Sequence, residues 1–313
     1  MTTNFPKIAL GAWAWGDHDD YFGNTASEAD FKPVYETALS NNLNLWDTAY
    51  AYSAGASELI LGNLMKETPR DQLYISTKFT PRMADDRPNP VEDMLIGSLE
   101  RLKTDYVDLY WIHNDTDVEK WTPMLIPLVK SGRVKRVGVS NHTLSEIKRV
   151  QEILAAVDIK LAAVQNHYSL LDRTSEQAGI LDYCQQNDIT FYAYMVLEQG
   201  ALTGKYNAAN PFPAGSARAN KYNGKLASLF DITEKLAEIG HKHRLSAAQT
   251  AMAWAMTKGT RPIIGVTKPE QVSEVATVVD ETLTPDEVTD LEAIADQTDF
   301  NTVREWEPAN MSK

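Results

Sequence analysis

The chain has 313 residues, 43% of them hydrophobic, and a formal net charge of −13 at pH 7. That charge argues against nucleic acid as a partner, since binding it needs a concentrated basic surface. No stretch approaches ~20 uninterrupted apolar residues, so no membrane span is expected. Cys184 is the only cysteine, which rules out an intrachain disulfide, and the N-terminus lacks an apolar secretory leader. A reducing cytoplasm is therefore expected; a monomer is the expected state, with oligomers left open.

No Ser/Gly/Pro-rich linker divides the chain, and residues 1–313 read as one domain. Eight short apolar runs recur from end to end: 7–11, 43–47, 73–78, 107–113, 134–140, 161–166, 189–194 and 262–265. Segments with helical periodicity lie between them. In 27–41, Phe31, Val34, Tyr35, Ala38 and Leu39 recur at three- and four-residue steps. Segment 57–67 repeats the pattern, and after Asn89-Pro90 a stripe of Leu95, Leu99 and Leu102 follows a cap-like start. Further helices are predicted over 119–130, 144–155, 175–187, 226–243, 246–257, 269–278 and 285–295. Pro123 and Pro127 predict a late start or a kink in the first of these. The link 204–225 is too long for an ordinary βα loop, and a flap over the barrel mouth would account for it.

Strand followed by helix, repeated, argues for a parallel sheet. The dinucleotide mark of an open doubly wound sheet, G-x-G-x-x-G, is absent after the first run, which continues Gly11-Ala12-Trp13-Ala14-Trp15-Gly16. The expected fold is α/β, an eight-stranded parallel (β/α)₈ TIM barrel with a long loop after the seventh strand. Its chemistry belongs at the C-terminal ends of the strands.

Four residues at those ends suit proton transfer. A phenol holds its proton at neutral pH, so Tyr52 can donate to a developing alkoxide. The Lys78 ammonium would lower the phenol's pKa, Asp47 would pair with Lys78, and His113 would orient a carbonyl. Alternatively, Asp47 caps the following helix, Tyr52 is a surface ring and His113 is structural. Carbonyl reduction through such a set needs a cofactor to bring the hydride and no metal.

Asp47-Thr48-Ala49-x-x-Tyr52, with Glu58 and Leu61-Gly62, resembles the first motif of the aldo-keto reductase family. Thr77-Lys78, then Leu99-x-x-Leu102-x-x-Asp105-Tyr106-Val107-Asp108-Leu109-Tyr110 leading to His113, then Gly138-Val139-Ser140-Asn141, resemble further motifs in order. The resemblance implies a nicotinamide cofactor bound without a Rossmann fold, and hydride transfer to an aldehyde or ketone with Tyr52 as proton donor. It also implies that Ser140 or Asn141, with Gln165, holds the nicotinamide carboxamide, and that Tyr194 stacks on the ring. Leu202, Gly204 and Lys205 resemble the pyrophosphate side. Gly265, Thr267, Lys268 and Gln271 form the phosphate region, just before a predicted helix start. Some family members grip a 2′-phosphate and adenine with Ser, Arg and Asn; here the matching places hold Val266, Gln271 and Val275. NADPH (NADP+) is expected through Lys268, with some NADH use.

Trp13, Trp15 and Trp111 are the expected substrate pocket, joined by Tyr21, Phe22, Tyr192 and Trp306 in an aromatic-walled mouth for a small carbonyl compound. Two other functions compete. One is a metal-dependent barrel hydrolase or isomerase using Asp47, His113, His142 and His167. The other is a redox-sensing nicotinamide-binding subunit.

Overall fold

The computed structural model describes residues 5–16, 22, 26–114, 117–298, 300, 302 and 307. Tyr21 and Trp306 lie outside the described residues. Eight strands occur in chain order: β1 (Ala9–Gly11), β2 (Leu45–Asp47), β3 (Tyr74–Phe79), β4 (Leu109–Ile112), β5 (Val137–Ser140), β6 (Leu161–His167), β7 (Thr190–Tyr194) and β8 (Arg261–Gly265). They close into a parallel barrel in sequence order, with β8 returning to β1 through Ala9↔Ile263 and Gly11↔Gly265. Each predicted run matches one strand, with β3, β6 and β8 extending one residue beyond theirs.

Side chains alternate across a strand, so residues two apart share a face. The bore is filled by Leu45, Leu109, Trp111, Ala163 and Tyr192, with Phe5 and Ala9 at its base. Continuing the inward alternation upward takes Leu45 to Asp47, Ser76 to Lys78, Ala163 to Gln165 and Tyr192 to Tyr194. The functional layer is thus the top layer of the barrel filling. Gly138 pairs with Trp111 across β4 and β5, and a Cβ at Gly138 would sit 2.4 Å from the indole. Glycine makes room for the ring.

The outward faces of the strands pack against the helices in one large core that contains Trp15, Phe31, Trp46 and Tyr110. Helix Glu28–Ser40 buries Phe31, Val34, Tyr35 and Ala38, the stripe its periodicity predicts. Two helices depart from expectation. Val118–Lys130 starts on time, with the Asp117 carboxylate accepting from the Lys120 N–H, and runs through both prolines. Pro123 and Pro127 are four apart on its exposed face, where water can satisfy the carbonyls they strand. Segment 175–187 divides into Thr174–Gln177 and Ile180–Gln186, because Gly179 takes a left-handed φ of +76°.

Segment 204–225 carries its own structure. A short helix, Ala217–Tyr222, packs Tyr222 and Ala219 with Phe212 and Leu229 in a small separate core. Among the described residues no helix is long and apolar enough to cross a membrane.

Candidate active site

A cavity of about 400 Å³ opens at the C-terminal ends of the strands and is lined by Asp47, Tyr52, His113, Ser140, Gln165 and Tyr194, among others. Its base is a saturated charge pair. Lys78 on β3 is fully buried and donates to the Asp47 carboxylate at 2.6 Å, the Thr48 carbonyl at 2.8 Å and the Tyr52 hydroxyl at 2.9 Å. Those are all three ammonium donors. The other Asp47 oxygen accepts from Ser76 Oγ at 2.7 Å and Gln165 Nε2 at 3.3 Å, and Trp111 Nε1 donates to Ser76 at 2.6 Å. Asp47 therefore does not cap a helix. Ser76 escapes a motif reading, although its place two residues before Lys78 puts it on the same face.

Burial pulls the Lys78 pKa down, but Asp47 and Tyr52 outweigh it and raise it above the ordinary value. The expectation that Lys78 lowers Tyr52 holds for the lysine's own effect and fails for the net shift. Burial raises the phenol, Lys78 pulls it back only in part, and the net direction is upward. Because Tyr52 accepts from Lys78, its own hydrogen has no acceptor among the described residues, and the ring faces the cavity. Burial first, then the Lys78 and Arg82 charges, hold His113 well below the usual imidazole value, so its ring is neutral. The His113 Nδ1 meets the Thr80 hydroxyl at 3.0 Å, and its ring lies edge-on to Tyr52 at 5.9 Å between centroids.

The opposite wall comes from β5 to β8. Asn141, just past β5 with φ +60°, gives Nδ2 to the His113 carbonyl at 2.9 Å and to Ser140 Oγ at 3.2 Å. Its Oδ1 accepts from the Tyr194 hydroxyl. The Asn141 amide is therefore committed to joining the two walls. Ser140 keeps its hydroxyl hydrogen and Gln165 keeps Oε1 without a partner among the described residues. Leu202 is fully buried and Gly204 is a left-handed turn; they position Thr203 and Lys205, which line the cavity. Gly265, with open space beside its Cα, and Thr267 line it too. Gln271 Oε1 accepts from the Thr267 and Lys268 N–H groups at 2.7 and 3.0 Å, while Lys268 itself is exposed outside the cavity lining. Arg218, from the 204–225 segment, also lines the cavity, and its buried Nε has no hydrogen-bond partner among the described residues. No motif marks Arg218; only the packing of the long link brings it there.

The expected aromatic pocket divides. Trp13 lines the cavity, stacked on Tyr52 at 5.8 Å and edge-on to Phe22 at 5.0 Å. Trp15 is fully buried behind the strands, stacked on Phe31 at 4.7 Å, with its Nε1 donating to the Val266 carbonyl at 2.7 Å. Trp111 and Tyr192 fill the bore, in edge contact at 5.8 Å. Trp15 and Trp111 are thus core residues rather than mouth walls, because each ring has an apolar slot and an indole acceptor inside the protein.

The residues offered as metal ligands are not gathered. Asp47 is taken by Lys78, and His142 bonds the Ser140 carbonyl through Nδ1 at 2.8 Å. His167 lies between two carboxylates, Glu307 at 2.7 Å from Nδ1 and Glu198 at 2.6 Å from Nε2. Burial opposes its charge, yet Glu198 and Glu307 raise it to about 10, so it is an imidazolium whose ring nitrogens both carry protons. Asp172 also lies 3.7 Å from Nδ1. Burial pushes the Cys184 thiol up to about 12, which removes it as a nucleophile.

Residues 7–296 match the model of the Aldo/keto reductase family. The chain belongs to that family. It is an oxidoreductase acting on the carbonyl/alcohol pair. Its relatives include the NADP(+)-designated aldo-keto reductase yakc of Schizosaccharomyces pombe, 28% identical over 85% of this chain and 82% of the relative. The NADH-specific methylglyoxal reductase of Escherichia coli K12 is also 28% identical, over 86% of this chain and 88% of the relative. Among solved structures, a glycerol dehydrogenase from Gluconobacter oxydans superposes with a TM-score of 0.81 at 27% identity, covering 97% of this chain and 95% of the other.

Proposed function

We propose that this aldo-keto reductase reduces small, ring-bearing aldehydes with NADPH as the favoured cofactor, and that Tyr52 is the proton donor. The observation that carries the reading is the Lys78 ammonium, saturated by Asp47, Thr48 and Tyr52, with the Tyr52 phenol turned into the cavity. A raised phenol pKa keeps the proton on Tyr52 until an alkoxide develops, and Lys78 stabilises the phenolate that remains. Neutral His113 orients the substrate carbonyl beside Tyr52, and Trp13 with Phe22 walls the ring in and keeps water out.

The residues present fit a nicotinamide cofactor. A primary amide needs one donor and one acceptor, which the Ser140 hydroxyl and Gln165 Oε1 offer side by side. The Tyr194 ring lines the same wall, and the Arg218 guanidinium, which also lines the cavity, suits an anionic stretch beyond it. A bound reduced nicotinamide supplies the hydride, which no side chain can. Lys268, Thr203 and Lys205 stand nearest in sequence to the expected phosphates. Lys268 is an exposed point charge, which favours NADPH while leaving room for NADH; the two named relatives differ in the same respect. Segment 204–225, which brings Lys205 and Arg218 to the cavity, would close over the cofactor.

Titration with NADPH, read by tryptophan quenching, tests the bed; a flat curve with folded protein removes it. A panel of nitrobenzaldehydes followed through NADPH absorbance tests the pocket. Activity confined to hydroxylated aliphatic sugars would defeat the ring-bearing reading. Lys268→Ala should weaken NADPH more than NADH, and equal weakening would free Lys268 of the 2′-phosphate.

A further inference from the structure

Arg82 takes no part in the relay, yet it lines the same cavity. It sits on the single turn Pro81–Met83 that directly follows β3, four residues after Lys78. Neighbouring acids do not neutralise it: Asp85 and Asp93 both pair with Arg87, and Arg82 has no carboxylate partner among the described residues. The other cations lining the cavity, Lys205 and Arg218, come from the segment after β7. In an eight-stranded barrel closed in sequence order, that places them across the mouth from the β3–β4 edge. The Arg82 charge is also close enough to His113 to help hold that ring neutral.

We infer that Arg82 is a specificity residue that receives an oxyanion, carboxylate or phosphate, on the carbonyl substrate. The inference rests on the reading that Tyr52 and His113 hold the carbonyl. An unpaired guanidinium has a planar fork of donors suited to either anion. In a chain of charge −13, a cation left unpaired beside the reacting groups marks where the cavity draws in a substrate of the opposite sign. Trp13 and Phe22 would hold the body of the substrate, leaving its anionic end to Arg82. During reduction the anion is a bystander: the carbonyl carbon gains a hydride, its oxygen gains the Tyr52 proton, and the cofactor is oxidised.

The test compares 4-formylbenzoate with 4-formylbenzamide, which share ring, position and size and differ in charge. The carboxamide withdraws electrons more strongly, so a preference for the carboxylate cannot come from carbonyl reactivity. With saturating NADPH at neutral pH, wild-type kcat/KM should favour the carboxylate about fivefold, a partly exposed ion pair being worth about that much, and added salt should shrink the ratio. Arg82→Gln should bring the ratio to about one and Arg82→Lys should hold it between, whatever happens to absolute rates. A third aldehyde, 4-formylphenylphosphonate, tells which oxyanion the site prefers. A wild-type ratio at or below one for both anions, or a ratio unchanged in Arg82→Gln, overturns the inference while the reductase reading stands. Failure to reduce any of the three, with NADPH or NADH, overturns the Tyr52 reading and this inference with it.

Discussion

On the β2–β4 side of the mouth, Lys78 uses all three donors, Asp47 uses both oxygens, and Ser76 links them to Trp111 in the bore. On the β5–β8 side, the Ser140 hydroxyl hydrogen and Gln165 Oε1 face the cavity without partners among the described residues, and the Arg218 Nε, buried behind its lining, has none there either. The buried Lys78–Asp47 pair at the foot of the first wall is finished by the fold alone, while the second wall is completed by what binds there. Preorganised dipoles cost no reorganisation during reaction, and this is what a proton-transfer wall needs. A wall that holds an exchangeable partner must instead keep some of its hydrogen-bonding groups uncommitted.

The sharpest way to break this contrast is Lys78→Met. It should lower kcat by at least ~10²-fold and also destabilise the protein by about 3–5 kcal/mol, because Asp47 is left buried without its counter-charge. Adding Asp47→Asn should recover much of the melting temperature and none of the activity. Recovery of activity would mean that Lys78 does not act on Tyr52. The β1 loop repeats the contrast over two residues. Trp15→Ala should cost about 3–5 kcal/mol in denaturant unfolding. Trp13→Ala should leave stability nearly unchanged and raise KM for ring aldehydes.

Tyr52→Phe keeps the ring and removes the proton, so kcat should fall by at least ~10²-fold with NADPH affinity nearly intact. Near-normal turnover would pass the acid role to His113. On the other wall, Arg218→Ala should weaken cofactor binding about tenfold by calorimetry and leave the melting temperature of the free protein alone. A large loss of stability would make Arg218 part of the finished architecture instead.

The smallest effect is a slope. His167 is held at about 10 in the fold, above its ordinary value, so its charged form stabilises the native state. That contribution is complete below pH ~6.5 and lost as pH rises toward ~10, at no more than about 1.4 kcal/mol per pH unit. The stability advantage of wild type over His167→Gln should therefore shrink across that window. A constant difference would mean that the imidazolium is not held by Glu198 and Glu307.

Local chemistry was enough to read the barrel, because every strand falls on an apolar run and the small, polar or ionisable residues closing those runs mark the mouth. It also marked Asp47, Tyr52, Lys78 and His113, since a charge or phenol at the end of a buried strand has few structural uses. The sequence could not assign the direction of the Tyr52 shift, which depends on burial outweighing a nearby ammonium. Nor could it divide Trp13 from Trp15: two positions apart, both were open to the same reading until packing against Phe31 and the Val266 carbonyl took Trp15 inside. Arg82, Arg218 and the pair of Glu198 with His167 were beyond its reach for a common reason. Their meaning lies in which charges meet which partners across the barrel, and those distances are set only when β1 closes on β8 and the link after β7 packs down.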